Sequence, residues 1–196
     1  VTAALRTLIE ELRPRRILDT GCGTGYWLQT LQSLAPFTCG IDLSLNMLHC
    51  VPSESQRPAL VCGSAGRRMP FREASFDLIF CVNALPNFGP VGAFLIETRR
   101  MLAPGGAVAI IGATPDERYD SSYLYHSFGG VHHTDAHKFP SWGAITDGMV
   151  NAEFERIQWR RLERIVATRQ GRDILGDTLA TRSASTIAML IGYSPR

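Results

Sequence analysis

The chain predicts an α/β fold, a doubly wound and mostly parallel sheet with helices on both faces. Two patterns carry that expectation. Short apolar runs alternate with segments whose apolar residues keep a helical period. The first apolar run also breaks into glycines at every second position, Ile17-Leu18-Asp19-Thr20-Gly21-Cys22-Gly23-Thr24-Gly25, as a strand does when it turns tightly into a helix.

Leu5, Leu8, Ile9 and Leu12 fall at i, i+3, i+4 and i+7 and define an amphipathic helix that Pro14 stops. Arg16–Asp19 reads as a strand, Tyr26–Leu34 as a helix and Phe37–Asp42 as a second strand. Leu45–Cys50 is a short helix with Ser44 as its N-cap. Ala59–Cys62 and Phe76–Val82 are further strands. A helix through Val91, Phe94, Leu95, Met101 and Leu102 is stopped at Ala103-Pro104-Gly105-Gly106, ahead of a fifth strand, Ala107–Ile111. Ser141 caps a helix carrying Ile145, Met149 and Ala152. Phe154–Arg160 alternates as a strand, with Leu162 out of step at a bulge or at its end, and Thr186–Ile191 closes the pattern.

The 196 residues are read as one domain, 1–196, large enough for a real core. A hydrophobic fraction of 45% and a charged fraction of 19% are ordinary for a globular chain, and no apolar run approaches the ~18 residues of a membrane span. The chain begins inside a helix, so we expect an N-terminal portion to be missing. A net charge of +2, with arginines scattered over different elements, reads as solvated surface and not as a nucleic-acid face. Five cysteines without a C-x-x-C pair fit a reducing, cytoplasmic setting, with Cys39, Cys62 and Cys81 acting as small hydrophobes in strands.

The glycine turn is D-x-G-x-G-x-G, with Tyr26 where G-x-G-x-x-G would place its third glycine. An acid there repels a pyrophosphate and attracts a cationic or amino-bearing ligand. The turn resembles the first motif of class I S-adenosylmethionine-dependent methyltransferases. Further motifs follow in order: Asp42-Leu43 after the second strand, Cys62-Gly63-Ser64-Ala65 after the third, Met69-Pro70-Phe71, Ser75–Asn83, and Asn151-Ala152-Glu153-Phe154. The similarity is greatest to the small-molecule subgroup that includes quinone-biosynthesis C-methyltransferases.

The resemblance implies a Rossmann-like, seven-stranded sheet whose last strand inserts antiparallel between the fifth and sixth. It implies S-adenosyl-L-methionine as cofactor, held by Asp19, Gly21, Cys22, Gly23, Gly25, Asp42, Leu43, Ser64, Ala65 and Asn83. Asp42 would take the ribose diol, Leu43 a face of the adenine, and Ser64 and Ala65 its edge. Ser64 stands where the family usually has Asp, so a weaker hydroxyl contact or a backbone carbonyl reads the base. Ala84-Leu85-Pro86-Asn87-Phe88 lacks the Asn-Pro-Pro-aromatic motif of many nucleic-acid methyltransferases.

The implied reaction is methyl transfer to a small, partly apolar acceptor by in-line displacement, which needs positioning more than a catalytic triad. Candidate bases lie at Tyr123, Tyr125, His126, His132, His133, Asp135 and His137; a metal site built from these histidines is the weaker reading, and none is assigned. Two irregular segments, 113–140 and 167–183, are placed to shape the acceptor pocket. A nicotinamide-dependent oxidoreductase and a non-catalytic cofactor-binding module stay open as alternatives. The acceptor and the oligomeric state are not legible.

Overall fold

A computed structural model describes residues 1–52, 58–113, 130, 133, 134, 138–166 and 184–196. The elements are α1 (Thr2–Leu12), β1 (Arg16–Thr20), α2 (Tyr26–Leu31), a 3-10 turn (Gln32–Leu34), β2 (Phe37–Asp42), α3 (Leu45–His49) and β3 (Ala59–Cys62). They continue with β4 (Phe76–Val82), a second 3-10 turn (Leu85–Asn87), α4 (Val91–Met101), β5 (Leu102–Gly112), α5 (Trp142–Asn151), β6 (Glu155–Val166) and β7 (Ala184–Tyr193).

The strands form one seven-stranded sheet in the order β3-β2-β1-β4-β5-β7-β6. β1 to β5 are parallel neighbours, and β7 runs antiparallel to both β5 and β6. The carboxyl ends of β1 to β6 therefore share one edge. The chain winds outward from β1 to β3 and then returns to β4 on the other side of β1, which makes the β1–β4 boundary the topological switch point, where such sheets bind ligands.

Central strands buried on both faces explain the unbroken apolar runs. On one face Leu18, Ile79, Val108 and Leu190 pack with Phe94 and Leu95 of α4 and with Ile145 and Met149 of α5. On the other, Ile17, Leu78, Phe80 and Ala109 pack with Leu5, Leu8 and Ile9 of α1. Each such side chain contributes roughly 1.5–3 kcal/mol on leaving water.

The caps follow the sequence. Arg13 ends α1 in the left-handed region (φ 48°), with its N–H on the Ile9 carbonyl at 2.7 Å, and Pro14 prevents continuation. Ser44 Oγ accepts from Met47 N, and Ser141 Oγ from Ala144 N.

Four details differ from the sequence reading. The end of the second helix tightens into the 3-10 turn Gln32–Leu34. β5 starts at Leu102, which pairs with Phe76 before a register shift restores pairing at Leu78 and Ala107, so Pro104 sits in a bulge where no ladder donor is needed. β6 continues past a bulge between Arg161 and Glu163 to Val166, and as the outer strand it leaves Trp159 48% exposed. Cys62 is exposed and not a core thiol, because β3 is the opposite edge strand; Cys39 and Cys81 are buried as expected. No described helix is long and apolar enough to cross a membrane. Most of segment 113–140 and all of 167–183 lie outside the described residues; their flanks, Gly112 and Val166, end strands at the shared carboxyl edge.

Candidate functional site

The glycine turn leaves the tip of β1 at the switch point. Gly21 and Gly23 hold φ of 72° and 55°, a region that L side chains rarely adopt. A Cβ on Gly21 would lie 2.5 Å from the Ala84 Cβ, so the loop after β4 seats directly on the turn. A Cβ on Gly23 would meet only Met47 Cε, at 3.8 Å, so that backbone faces open space.

Four of the turn's amides are engaged within the fold. Gly21 N and Cys22 N donate to the Ile41 carbonyl at 2.8 and 3.2 Å, and Gly25 N donates to the Cys22 carbonyl at 2.9 Å. Gly23 N donates to Asp42 Oδ2 at 2.8 Å, while Asp42 Oδ1 accepts from Ser44 N at 2.8 Å. A dinucleotide site offers such amides to a pyrophosphate. Here a carboxylate occupies the central one.

Beyond the turn a cleft of about 450 Å³ crosses the tips of β4, β1, β2 and β3. Seven of the residues expected from sequence line it: Gly21, Gly23, Asp42, Leu43, Ser64, Ala65 and Asn83. Its size suits a nucleoside-sized ligand. Asp19, Cys22 and Gly25 do not line it. Cys22 is buried with Leu28 and Leu48, beneath the turn. Gly25 caps α2. Met47, Ala84, Asn87 and Phe88 also line the cleft, outside the ten residues expected to hold the cofactor. Phe88 is the informative one, since its ring packs on Phe94 and against Gly21, contacts between elements that no local pattern announces.

Asp19 lies in the centre of the sheet, between Gly40 of β2 and Phe80 of β4, and is 1% exposed. Its Oδ2 is buried without a hydrogen-bond partner. Burial first, and the nearby Asp42 charge second, push its pKa well above the usual carboxylate range. Burial also raises the Cys81 thiol, to about 12, with Asp19 adding to the effect. An unpartnered buried carboxylate under a turn is costly for the fold alone, and a positive charge above it would relieve the cost.

Asn83 sits at the tip of β4 with φ 54°, and its N–H donates to the Ile111 carbonyl at 2.8 Å. It borders the nucleoside-sized cleft on one side. On the other it borders a small apolar recess of about 30 Å³ walled by Leu85, Ile110, Phe139, Trp142 and Ile145. A larger hollow of about 720 Å³, along Gln32–Thr38 and Ala59, has no charged side chain in its described lining.

Of the candidate bases only His133 falls within the described residues, and it is exposed; Tyr123, Tyr125, His126, His132, Asp135 and His137 lie outside them. Among the described residues no three His, Cys, Asp or Glu side chains come together as a metal site.

Residues 18–110 match the family described as methyltransferase domain. Over that segment the chain is similar to class I S-adenosylmethionine-dependent methyltransferases. Among similar proteins, a demethylmenaquinone methyltransferase of Tropheryma whipplei is 30% identical over 104 residues, 53% of this chain and 44% of the relative. A malonyl-[acyl-carrier protein] O-methyltransferase of Hahella chejuensis is 28% identical over 138 residues, 69% of this chain and 50% of the relative. The chain thus spans about half the length of those relatives. Its fold matches the YcgJ protein of Bacillus subtilis over the whole of both chains, with a TM-score of 0.71 at 18% identity. It also matches phosphoethanolamine N-methyltransferase 2 of Haemonchus contortus, solved with S-adenosylhomocysteine, with a TM-score of 0.70 at 15% identity, over 98% of this chain and 53% of that one.

Proposed function

We propose that this chain is a methyltransferase that holds S-adenosylmethionine in the cleft over β4, β1, β2 and β3 and serves methyl transfer to a small, partly apolar acceptor. The observation that carries the reading is the unpartnered, buried Oδ2 of Asp19 beneath a turn whose central amide is taken by Asp42. That arrangement favours a cation over a diphosphate and argues against the nicotinamide alternative.

The residues fit the cofactor. Asp42 keeps lone pairs beyond its two amide contacts, and a carboxylate accepts from both hydroxyls of a ribose diol. The open backbone at Gly23 allows close approach. Leu43, largely exposed, would cover one face of the base, and Ser64 and Ala65 would meet its edge. Cys22 and Gly25 would act through the shape of the turn, and Asp19 through its field from below. S-adenosylmethionine, when bound, supplies a methyl group made electrophilic by the attached sulfonium.

Asn83, shared by the cleft and the apolar recess, would orient an acceptor whose apolar part lies against Trp142 and Ile145. In-line transfer asks the protein chiefly for alignment and for exclusion of water. We take residues 1–196 as one domain, with no nucleic-acid partner and a cytoplasmic setting, in keeping with five unpaired cysteines.

Calorimetric titration with S-adenosylhomocysteine tests the cofactor site; absence of heat at millimolar ligand overturns it, and tight NADH binding would restore the oxidoreductase. Turnover on an acceptor panel separates an enzyme from a binding module. Demethylmenaquinone and malonyl-[acyl-carrier protein], the molecules in the relatives' names, head that panel.

A further inference from the structure

The connection from β3 to β4 starts in the cleft wall and runs on to α4. Its first residues, Gly63, Ser64 and Ala65, line the cleft, and Gly63 N donates to the Asp42 carbonyl at 2.9 Å. Among the described residues, 64–68 make no hydrogen bond to another element; Gly66 N donates to Ser64 Oγ, within the segment, at 3.2 Å. The next anchor is Met69, which is buried. Its N–H donates to Glu97 Oε1 at 2.7 Å, and its carbonyl accepts from Arg100 Nη2 at 3.4 Å. Residues 63–69 are thus a strap between two hydrogen-bonded ends.

Glu97 and Arg100 stand one turn apart on α4 and meet through two hydrogen bonds, Arg100 Nη2 to Glu97 Oε1 at 2.6 Å and Nε to Oε2 at 2.9 Å. An exposed pair at this spacing contributes little. This one is largely sheltered and takes in the Met69 peptide, so removing the carboxylate strands a buried amide. Arg100 first, joined by the Met69 amide, holds the Glu97 carboxyl below its usual range against the effect of burial. Midway along the strap a Cβ on Gly66 would run into the Phe88 carbonyl, and Phe88 itself lines the cleft and packs against Gly21. A strap released at Met69 is free to shift on that seat and to carry Gly63, Ser64 and Ala65 with it. Neither Glu97 nor Arg100 lines the cleft.

We propose that Glu97, paired with Arg100, is a positioning residue for the cleft: it holds the strap, and so the wall at Gly63, Ser64 and Ala65, without touching a ligand. The ligand side of this rests on the cofactor reading above. The test compares the chain with Glu97→Ala, Glu97→Gln and Asp77→Asn; the last weakens an ion pair, with Arg16, that lies outside the cleft lining. Two quantities are measured: affinity for S-adenosylhomocysteine by calorimetry, and hydrogen exchange at the amides of 63–69, without ligand, relative to those of β1 and β4. In Glu97→Ala strap exchange should quicken by about tenfold or more. Affinity should fall about tenfold, as it does when the binding-competent arrangement is populated about a tenth of the time. Glu97→Gln keeps an acceptor for Met69 N and should lose only about threefold in affinity, with a smaller rise in exchange. Asp77→Asn should change neither. Parent-like affinity in folded Glu97→Ala, a loss of affinity with strap exchange unchanged, or an equal loss in Asp77→Asn overturns the proposal. Should Glu97→Ala fail to fold, Glu97→Gln decides on the same two readouts. No binding by the parent would instead overturn the cofactor reading, and strap exchange alone would then decide whether Glu97 holds the strap.

Discussion

Asp42 accepts the Gly23 N–H at 2.8 Å, so the acid at the tip of β2 ties down the glycine turn at the tip of β1. The same carboxylate takes the Ser44 amide at 2.8 Å and thereby sets the start of α3. Hydrogen bonds to a charged group are worth about 1.5–3 kcal/mol each. Asp42→Ala should lower the melting temperature by several degrees and weaken S-adenosylhomocysteine by about a hundredfold or more. Asp42→Asn keeps one acceptor oxygen and should lose about tenfold in affinity with a smaller thermal shift. Thermal unfolding and calorimetry on the two variants check this, and equal affinities across all three proteins would remove Asp42 from the site.

Asp19 sets stability against binding. Burial, with the Asp42 charge, raises its pKa, so the folded chain holds this proton more tightly than the unfolded chain does. Its contribution to stability is fully present below the ordinary carboxylate range and is lost as pH rises through the folded pKa. Asp19→Asn should therefore melt higher than the parent, with a gap that opens as pH rises from about 4 toward neutrality. Affinity for S-adenosylhomocysteine should drop at least about tenfold, a stability–function trade. The parent's affinity should also rise with pH until Asp19 is ionised in the free protein, and the variant's should not. A variant that binds as well as the parent at every pH would contradict the role given to this carboxylate.

The two glycines of the turn should fail differently. Gly21→Ala puts a methyl at φ 72° against Ala84 and should destabilise the fold by roughly 2 kcal/mol or more. Gly23→Ala, at φ 55° with only Met47 Cε nearby, carries about 1–2 kcal/mol of backbone strain and intrudes on the cleft. Gly23→Ala should thus remain folded while losing the ligand, which melting curves with and without S-adenosylhomocysteine will show.

Asp77 is a structural counterpart at the far end of β4. Its Oδ2 accepts the Arg15 and Arg16 amides at 2.9 Å each, and its Oδ1 pairs with Arg16 Nη2 at 2.8 Å. Burial pushes the Asp77 carboxyl up, but the Arg16 side chain and the two amides outweigh it and hold it below the usual range. That stability is present above the unfolded pKa and is lost as pH falls through the folded one. Asp77→Asn should cost about 1 kcal/mol at pH 7, allowing for the half-exposed arginine, with the difference closing as pH falls below about 4. Binding of S-adenosylhomocysteine should be unchanged.

Much of this was legible in one dimension. Strand and helix identities follow from periodicity, and Ser44 and Ser141 announce their caps. Leu162, out of step in its run, marks the bulge between Arg161 and Glu163. Exposure at the third strand was not legible: Cys62 looks like a core residue until strand order places β3 outermost. Met47 escaped for a similar reason, since it reaches the cleft from α3, an element with its own local explanation.

By itself the chain determined which segments are strands, where they turn, and which residues stand at their carboxyl ends, because these depend on neighbours a few positions apart. Only tertiary structure decided what those residues do to one another. It set Asp19 under the turn and out of the cleft, drew the Asp42 carboxylate back onto Gly23 across 19 positions, and pressed Ala84 onto Gly21. Those relationships require that β1, β2 and β4 lie side by side, and lateral order in a sheet comes from packing both of its faces at once, which no local pattern encodes.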